Sequence, residues 1–218
     1  MNLRRILVIA TRNQGKTAEI RALLLDYPIE IKNLNDFGPI PEVEEDGETF
    51  DENAYKKASF AARVLGFPAL ADDSGLVVEA LGGRPGVHSA RYGGADATDR
   101  SRCDMLLSEL KGMTNRKAAF ECVISIAVPT GAALTYEGRC EGVIAETPSG
   151  ENGFGYDPVF YYPPLGKTFA QLTAAEKNRV SHRGRALQEI REEFDKVLKW
   201  IDIHMPDPER VGCLADTP

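Results

Sequence analysis

Apolar residues along this chain follow three rhythms, and each predicts a different element. Continuous apolar runs at residues 6–10 and 69–71 predict strands covered on both faces, and Ile29-Glu30-Ile31 predicts another strand. Helical spacing of Ile20, Leu23, Leu24 and Tyr27 predicts a helix behind the first strand, with Asn13 as its cap. Thr49-Phe50-Asp51-Glu52 is a capping box, and Phe50, Ala54, Ala58, Ala61 and Leu65 make one face of a second helix that stops at Gly66. Cys103, Leu106, Leu107 and Leu110 predict a third helix over 98–110. A second capping box, Thr173 to Glu176, opens a short helical turn carrying Lys177. From Ser181 onward Leu187, Ile190, Phe194, Val197, Leu198 and Ile201 form the stripe of a long helix. Alternation of Phe120, Cys122, Ile124, Ile126 and Val128, a turn at 129–131 and strand-like sequence over 134–144 predict an antiparallel meander. Parallel-type runs beside a meander imply an α/β fold on a mixed sheet.

Between these elements lie the segments with chemistry. Asp72-Asp73-Ser74-Gly75 follows an apolar run and reads as a turn, with a further strand at 76–80. Two adjacent carboxylates repel, so they belong either in a solvated turn or around a divalent cation. The first strand ends in Thr11-Arg12-Asn13-Gln14-Gly15-Lys16 before a helix, an arrangement that aims backbone N–H groups and a lysine at phosphate. It matches the looser phosphate-loop pattern but lacks the first glycine. Residues 39–48 are a proline-flanked loop dense in acids, including Glu44. Such a run is either plain solvated loop or the source of a metal-binding carboxylate. Lys57 lies beside the apolar face of the second helix, where its stem can be buried with the charge at a cleft rim. Residues 81–94 are too rich in glycine for regular structure and end in Arg91 and Tyr92. Phe154, Gly155, Tyr156 and Asp157 sit in another glycine-rich stretch, combining flat rings with an acceptor suited to a purine. His182 and Arg183 fall at the start of the last helix.

Composition narrows the classes. The chain has 218 residues, enough for one compact domain over 1–205 followed by a loose tail over 206–218. A net charge of −7, from 26 basic and 33 acidic residues, argues against general affinity for nucleic acid or anionic membrane. No run has the apolar length of a membrane span and residues 1–5 lead into a strand without a cleavage-site pattern, so a cytoplasmic protein is expected. The four cysteines show no paired metal-ligand spacing and read as reduced thiols, mostly buried.

Taken in order, Thr11-x-Asn13-x-Gly15-Lys16, Thr49-Phe50-x-Glu52-Asn53-Ala54, Ala71-Asp72-Asp73-Ser74-Gly75-Leu76, Gly82-Gly83-x-Pro85-Gly86 with Ser89-Ala90-Arg91-Tyr92, Gly153-Phe154-Gly155-Tyr156-Asp157-Pro158 and Ser181-His182-Arg183-Gly184 closely resemble the inosine and xanthosine triphosphate pyrophosphatase family. The resemblance runs from about residue 4 to residue 200. It implies an enzyme that hydrolyses ITP, dITP and XTP, non-standard purine nucleotides, to the monophosphate and pyrophosphate. The implied fold is a long, twisted mixed sheet with helices in two lobes around a central cleft, usually in a homodimer. By position, Thr11, Arg12, Asn13, Gln14, Gly15 and Lys16 would cradle the phosphates, with Ser74, Lys57 and Arg91 on the same side. Glu44 and Asp73 would hold Mg2+, with Asp73 or Asp72 as the base. Phe154, Gly155, Tyr156, Asp157, Lys177, His182 and Arg183 would surround base and sugar. Arg12 stands where the family commonly has glycine, adding bulk and charge to the phosphate loop. Two rivals are a septum-associated-type pyrophosphatase of modified pyrimidine nucleotides, against which Ser181-His182-Arg183 counts, and a phosphate-loop nucleotide-binding protein, against which the meander counts.

Overall fold

A computed structural model of the chain describes residues 5–94 and 96–206. Its centre is one seven-stranded sheet in the order β2-β1-β3-β4-β5-β6-β7. β1 (Arg5–Ile9) runs parallel to β2 (Ile29–Asn33) and to β3 (Ala69–Val78). β4 (Lys117–Ala127), β5 (Ala133–Ile144), β6 (Phe160–Tyr162) and β7 (Lys167–Thr168) continue antiparallel, so the sheet is mixed, as the two strand rhythms imply. β6 and β7 have three and two residues, too few for any periodicity to show in sequence.

Helices cover both faces. α1 (Gln14–Leu23) begins at Asn13, whose side chain accepts the Lys16 N–H, and α2 (Phe50–Leu65) begins at Thr49 and ends at left-handed Gly66. α3 (Asp99–Glu109) is capped by Thr98, α4 (Ala174–Val180) by the Thr173–Glu176 box, and α5 (His182–His204) by Ser181. One core joins α1 and α5 to the sheet through Ile20, Leu24, Leu70, Ile124, Leu187 and Phe194. On the opposite face α2 packs through Ala58, Ala61 and Ala62 onto Val8, Ala69 and Ala71, small residues that let the helix approach closely. A third core, with Leu76, Leu106, Phe120, Phe160 and Phe169, fills the other half. Cys103, Cys122 and Cys140 are buried free thiols, whereas Cys213 and residues 207–218 of the expected tail lie outside the described residues. No helix among the described residues is long and apolar enough to cross a membrane.

The expected turn at Asp72-Asp73-Ser74-Gly75 is absent. β3 runs unbroken through all four residues, with Asp72 opposite Ile124 and Gly75 opposite Glu121 on β4. The strand ends at Val78 and residues 79–81 form a 3-10 turn instead of more strand. Strand geometry resolves the repulsion that suggested a turn, because successive side chains leave opposite faces of a sheet. Asp72 faces α1 and α5, and Asp73 faces α2; each meets its own cations.

Candidate active site

Asp72 is 4% exposed, and one carboxylate oxygen gathers four donors. Lys16 Nζ lies 2.9 Å away, Arg183 Nε and Nη2 at 3.2 and 3.0 Å, and Ser74 Oγ at 2.9 Å. Burial alone would raise its pKa, but Lys16, Arg183 and Lys57 outweigh that and hold the group well below the usual carboxylate range. Asp72 is therefore a fixed anion that orients Lys16 and the first turn of α5.

Asp73 has the opposite character. Lys57 Nζ donates to it at 2.8 Å and Asn53 Nδ2 at 3.4 Å. Its pKa is raised, chiefly by burial and further by Glu45, with Lys57 only partly offsetting this. Lys57 also meets Glu45 at 3.4 Å, so one ammonium stands between two carboxylates. Burial opposes its charge, but Asp73 and Glu45 prevail and raise its pKa. Asn53 is fully buried and anchors the acidic loop, accepting Gly47 N–H at 2.8 Å and donating back to Gly47 O.

Lys16, Ser74, Glu45, Lys57, Asp72 and Arg183 line two adjoining chambers that share Lys16, whereas Asp73 lines neither and meets the first through Lys57. The first, about 330 Å3, is walled by Thr11, Arg12, Lys16, Glu45, Lys57 and Asp72. The second, about 440 Å3, brings Asn13, Gly15, Lys16 and Ser74 together with Phe154, Gly155, Tyr156, Asp157, Lys177, His182 and Arg183. Elements more than a hundred residues apart thus meet in one cleft.

In the second chamber Lys177 is buried, pairs with Asp157 and lies 4.5 Å from the centre of the Phe154 ring. His182 stacks on Phe120 at 4.7 Å and 14°, and its Nδ1 is buried with no hydrogen-bond partner. Burial, reinforced by Arg183 and Lys177, pushes its pKa well below 6.5, so the ring is neutral near pH 7. It sits this close to the sheet because β5 carries Gly138 there, where a Cβ would lie 2.0 Å from His182 O.

Several expected residues stand elsewhere. Glu44 is exposed and lines neither chamber; its neighbour Glu45 is the acid that reaches Lys57. In a run of three consecutive acids, 44–46, sequence offers no means of choosing among them. Arg91 is exposed and also lines neither chamber, donating instead to the backbone carbonyl of Glu45 at 3.0 Å. Gln14 is exposed at the first position of α1, outside both walls. Arg12 is exposed and reaches Asn35 at 3.4 Å, while still lining the first chamber. Tyr156 is 4% exposed and donates to Ser89 O, which makes it wall and not a free stacking face. Ser89, Asp99, Arg102 and Phe120 also line the second chamber; the sequence marked Ser89 only within a motif and Phe120 only as a strand residue, and nothing in it marked Asp99 or Arg102.

The Ham1 family model matches residues 7–193. The chain belongs to the Ham1 family. A dITP/XTP pyrophosphatase of Syntrophobacter fumaroxidans is 62% identical over 202 residues, covering 93% of this chain and 87% of that protein. One of Desulfotalea psychrophila is 59% identical, covering 90% and 88%. The solved HAM1 protein of Coxiella burnetii superposes with a TM-score of 0.84 at 44% identity, over 88% of this chain and 99% of that one. The Ham1 match spans both chambers, so family membership and cleft geometry concern the same residues.

Proposed function

We propose that this chain is a nucleoside triphosphate pyrophosphatase that hydrolyses dITP, ITP and XTP to the monophosphate and pyrophosphate. One observation carries the reading: a chamber of lysines and carboxylates opens, across Lys16, into a chamber with an aromatic ring, a neutral histidine and an arginine. A triphosphate suits the first and a base the second.

Hydrolysis at the α-phosphorus needs a proton acceptor for water and positive charge for the phosphate oxygens. Asp73, with its raised proton affinity, accepts the proton, while Lys16 and Lys57 face the developing charge. Asp73 and Glu45 also fit a divalent cation, because burial and their mutual repulsion raise the Asp73 pKa in spite of Lys57 and Lys16. No cluster of three or more metal-ligating side chains occurs among the described residues. That suits Mg2+, which uses one or two carboxylates and takes its other ligands from water and substrate. Mg2+ held there would neutralise charge on the triphosphate.

Base selection follows from donors. Lys177 and Arg183 carry only N–H groups, and a purine with oxygen at position 6 and no amino group offers them acceptors. ATP and GTP each bring an exocyclic amine, which Lys177 and Arg183 cannot pair and therefore disfavour. We further infer a homodimer acting in the cytoplasm, with no part in binding nucleic acid or membrane.

Pyrophosphate release with Mg2+ across ITP, dITP, XTP, GTP, ATP and modified pyrimidine triphosphates tests the reading. Strong preference for the first three is expected. Orthophosphate as the product, or equal turnover of GTP, would overturn it.

A further inference from the structure

Asp99 and Arg102, at the start of α3, line the base chamber without a place in the chemistry above. Asp99 Oδ2 accepts the Gly155 N–H at 2.7 Å, and Oδ1 pairs with Arg102 Nη2 at 2.6 Å. Arg102 Nη1 donates in turn to Ala97 O at 2.6 Å and Ala90 O at 3.0 Å. One turn of α3 therefore grips the aromatic loop on one side and the segment leading to Arg91 on the other.

The neighbouring amide is held as well, since Phe154 N–H donates to Asp157 Oδ2 at 2.9 Å. Two consecutive peptide N–H groups are each fixed by a carboxylate, Asp157 from within the loop and Asp99 from outside it. Together they set the peptide planes on both sides of the Phe154 Cα, and hence the direction in which its ring leaves the chain. The ring needs such a hold. It is 41% exposed, so packing restrains it weakly, and Gly155, at φ +63°, has no side chain to limit the loop.

We infer that Asp99 is a positioning residue for base recognition: it fixes the Phe154–Gly155 backbone so that the ring stays at the chamber wall, and Arg102 holds Asp99 in place. The inference rests on the pyrophosphatase reading of this cleft and adds to it the residue that sets the base platform. An acid in the first turn of a helix ordinarily serves only the helix dipole. A dipole role predicts a small loss of stability and no effect on the base.

The test compares Asp99→Ala with Asp99→Asn, which keeps an amide oxygen for the Gly155 N–H. Steady-state hydrolysis of dITP is measured beside inhibition by inorganic triphosphate, which has no base. In Asp99→Ala the KM for dITP should rise about tenfold, the scale of one hydrogen bond to a charged group, with kcat within about twofold. The inhibition constant of inorganic triphosphate should be unchanged, and Asp99→Asn should recover most of the loss. An unchanged KM, a parallel weakening of inorganic triphosphate, or an Asn variant as damaged as the Ala variant would each overturn the inference. Amide exchange at Gly155 in the ligand-free protein gives a readout independent of turnover, and should quicken in Asp99→Ala but not in Asp99→Asn. Faster exchange in a protein that releases no pyrophosphate from dITP would sink the pyrophosphatase reading alone. Unchanged exchange would sink the role of Asp99 alone.

Discussion

The two adjacent aspartates differ in what their surroundings ask of them, and substitution should separate them. Asp72 neutralises Lys16 and Arg183 where Arg183 is almost wholly buried. Asp72→Asn removes the buried charge that Lys16 and Arg183 share, which costs about 3 kcal/mol for a broken buried pair, and urea unfolding should show a loss of that size. Asp73→Asn should keep near-native stability, because Lys57 still finds an oxygen, while turnover falls by about a hundredfold or more. Near-normal turnover in Asp73→Asn would remove it as base and metal ligand together. His182 supplies a pH signature. Its folded-state pKa lies below the unfolded value near 6.5, so protons bind the unfolded chain more readily. The stability it contributes is complete above pH 6.5 and is lost as pH falls below it. Urea midpoints of the protein and of His182→Gln, compared from pH 8 to pH 5, should therefore converge on the acid side; a constant gap would contradict a neutral buried ring.

At the scale of elements, β3 does the organising. It pairs with β4 along its whole length, presents acids to three different helices and still admits the 3-10 turn Gly86–Arg91 against its surface. Gly75 makes that last contact possible. A Cβ there would lie 2.3 Å from Gly86 O and 2.6 Å from Ser89 Oγ, and the first is backbone that cannot swing aside. Gly75→Ala should thus destabilise by about 2 kcal/mol, as overpacking commonly does, and raise the KM by displacing the Ser89–Ala90 wall of the base chamber. Thermal unfolding and dITP kinetics on one preparation would check both. The misread turn came from local composition: Asp, Ser and Gly favour turns, but a full ladder of hydrogen bonds to β4 and separate cations for each acid override that preference.

For the whole molecule, a ligand that binds only the folded cleft should stabilise all of it. Millimolar Mg2+ should raise the melting temperature of the protein, and Asp73→Asn should abolish the rise. An equal rise in both would place the cation elsewhere. Sequence by itself determined the helices and their caps, the meander, the mixed sheet and the segments that line the cleft, because periodicity, capping boxes and glycine positions are local properties of the chain. Only the tertiary structure decided which residue within each segment reaches the cleft. Glu45 rather than Glu44 meets Lys57, Arg91 binds backbone, and Asp99 grips the aromatic loop from a helix whose sequence showed only an apolar stripe. A one-residue shift in an irregular loop leaves composition unchanged while redirecting a side chain. The pairing of Asp72 with Arg183, 111 positions away, exists only once α5 has packed against β3 through the shared core.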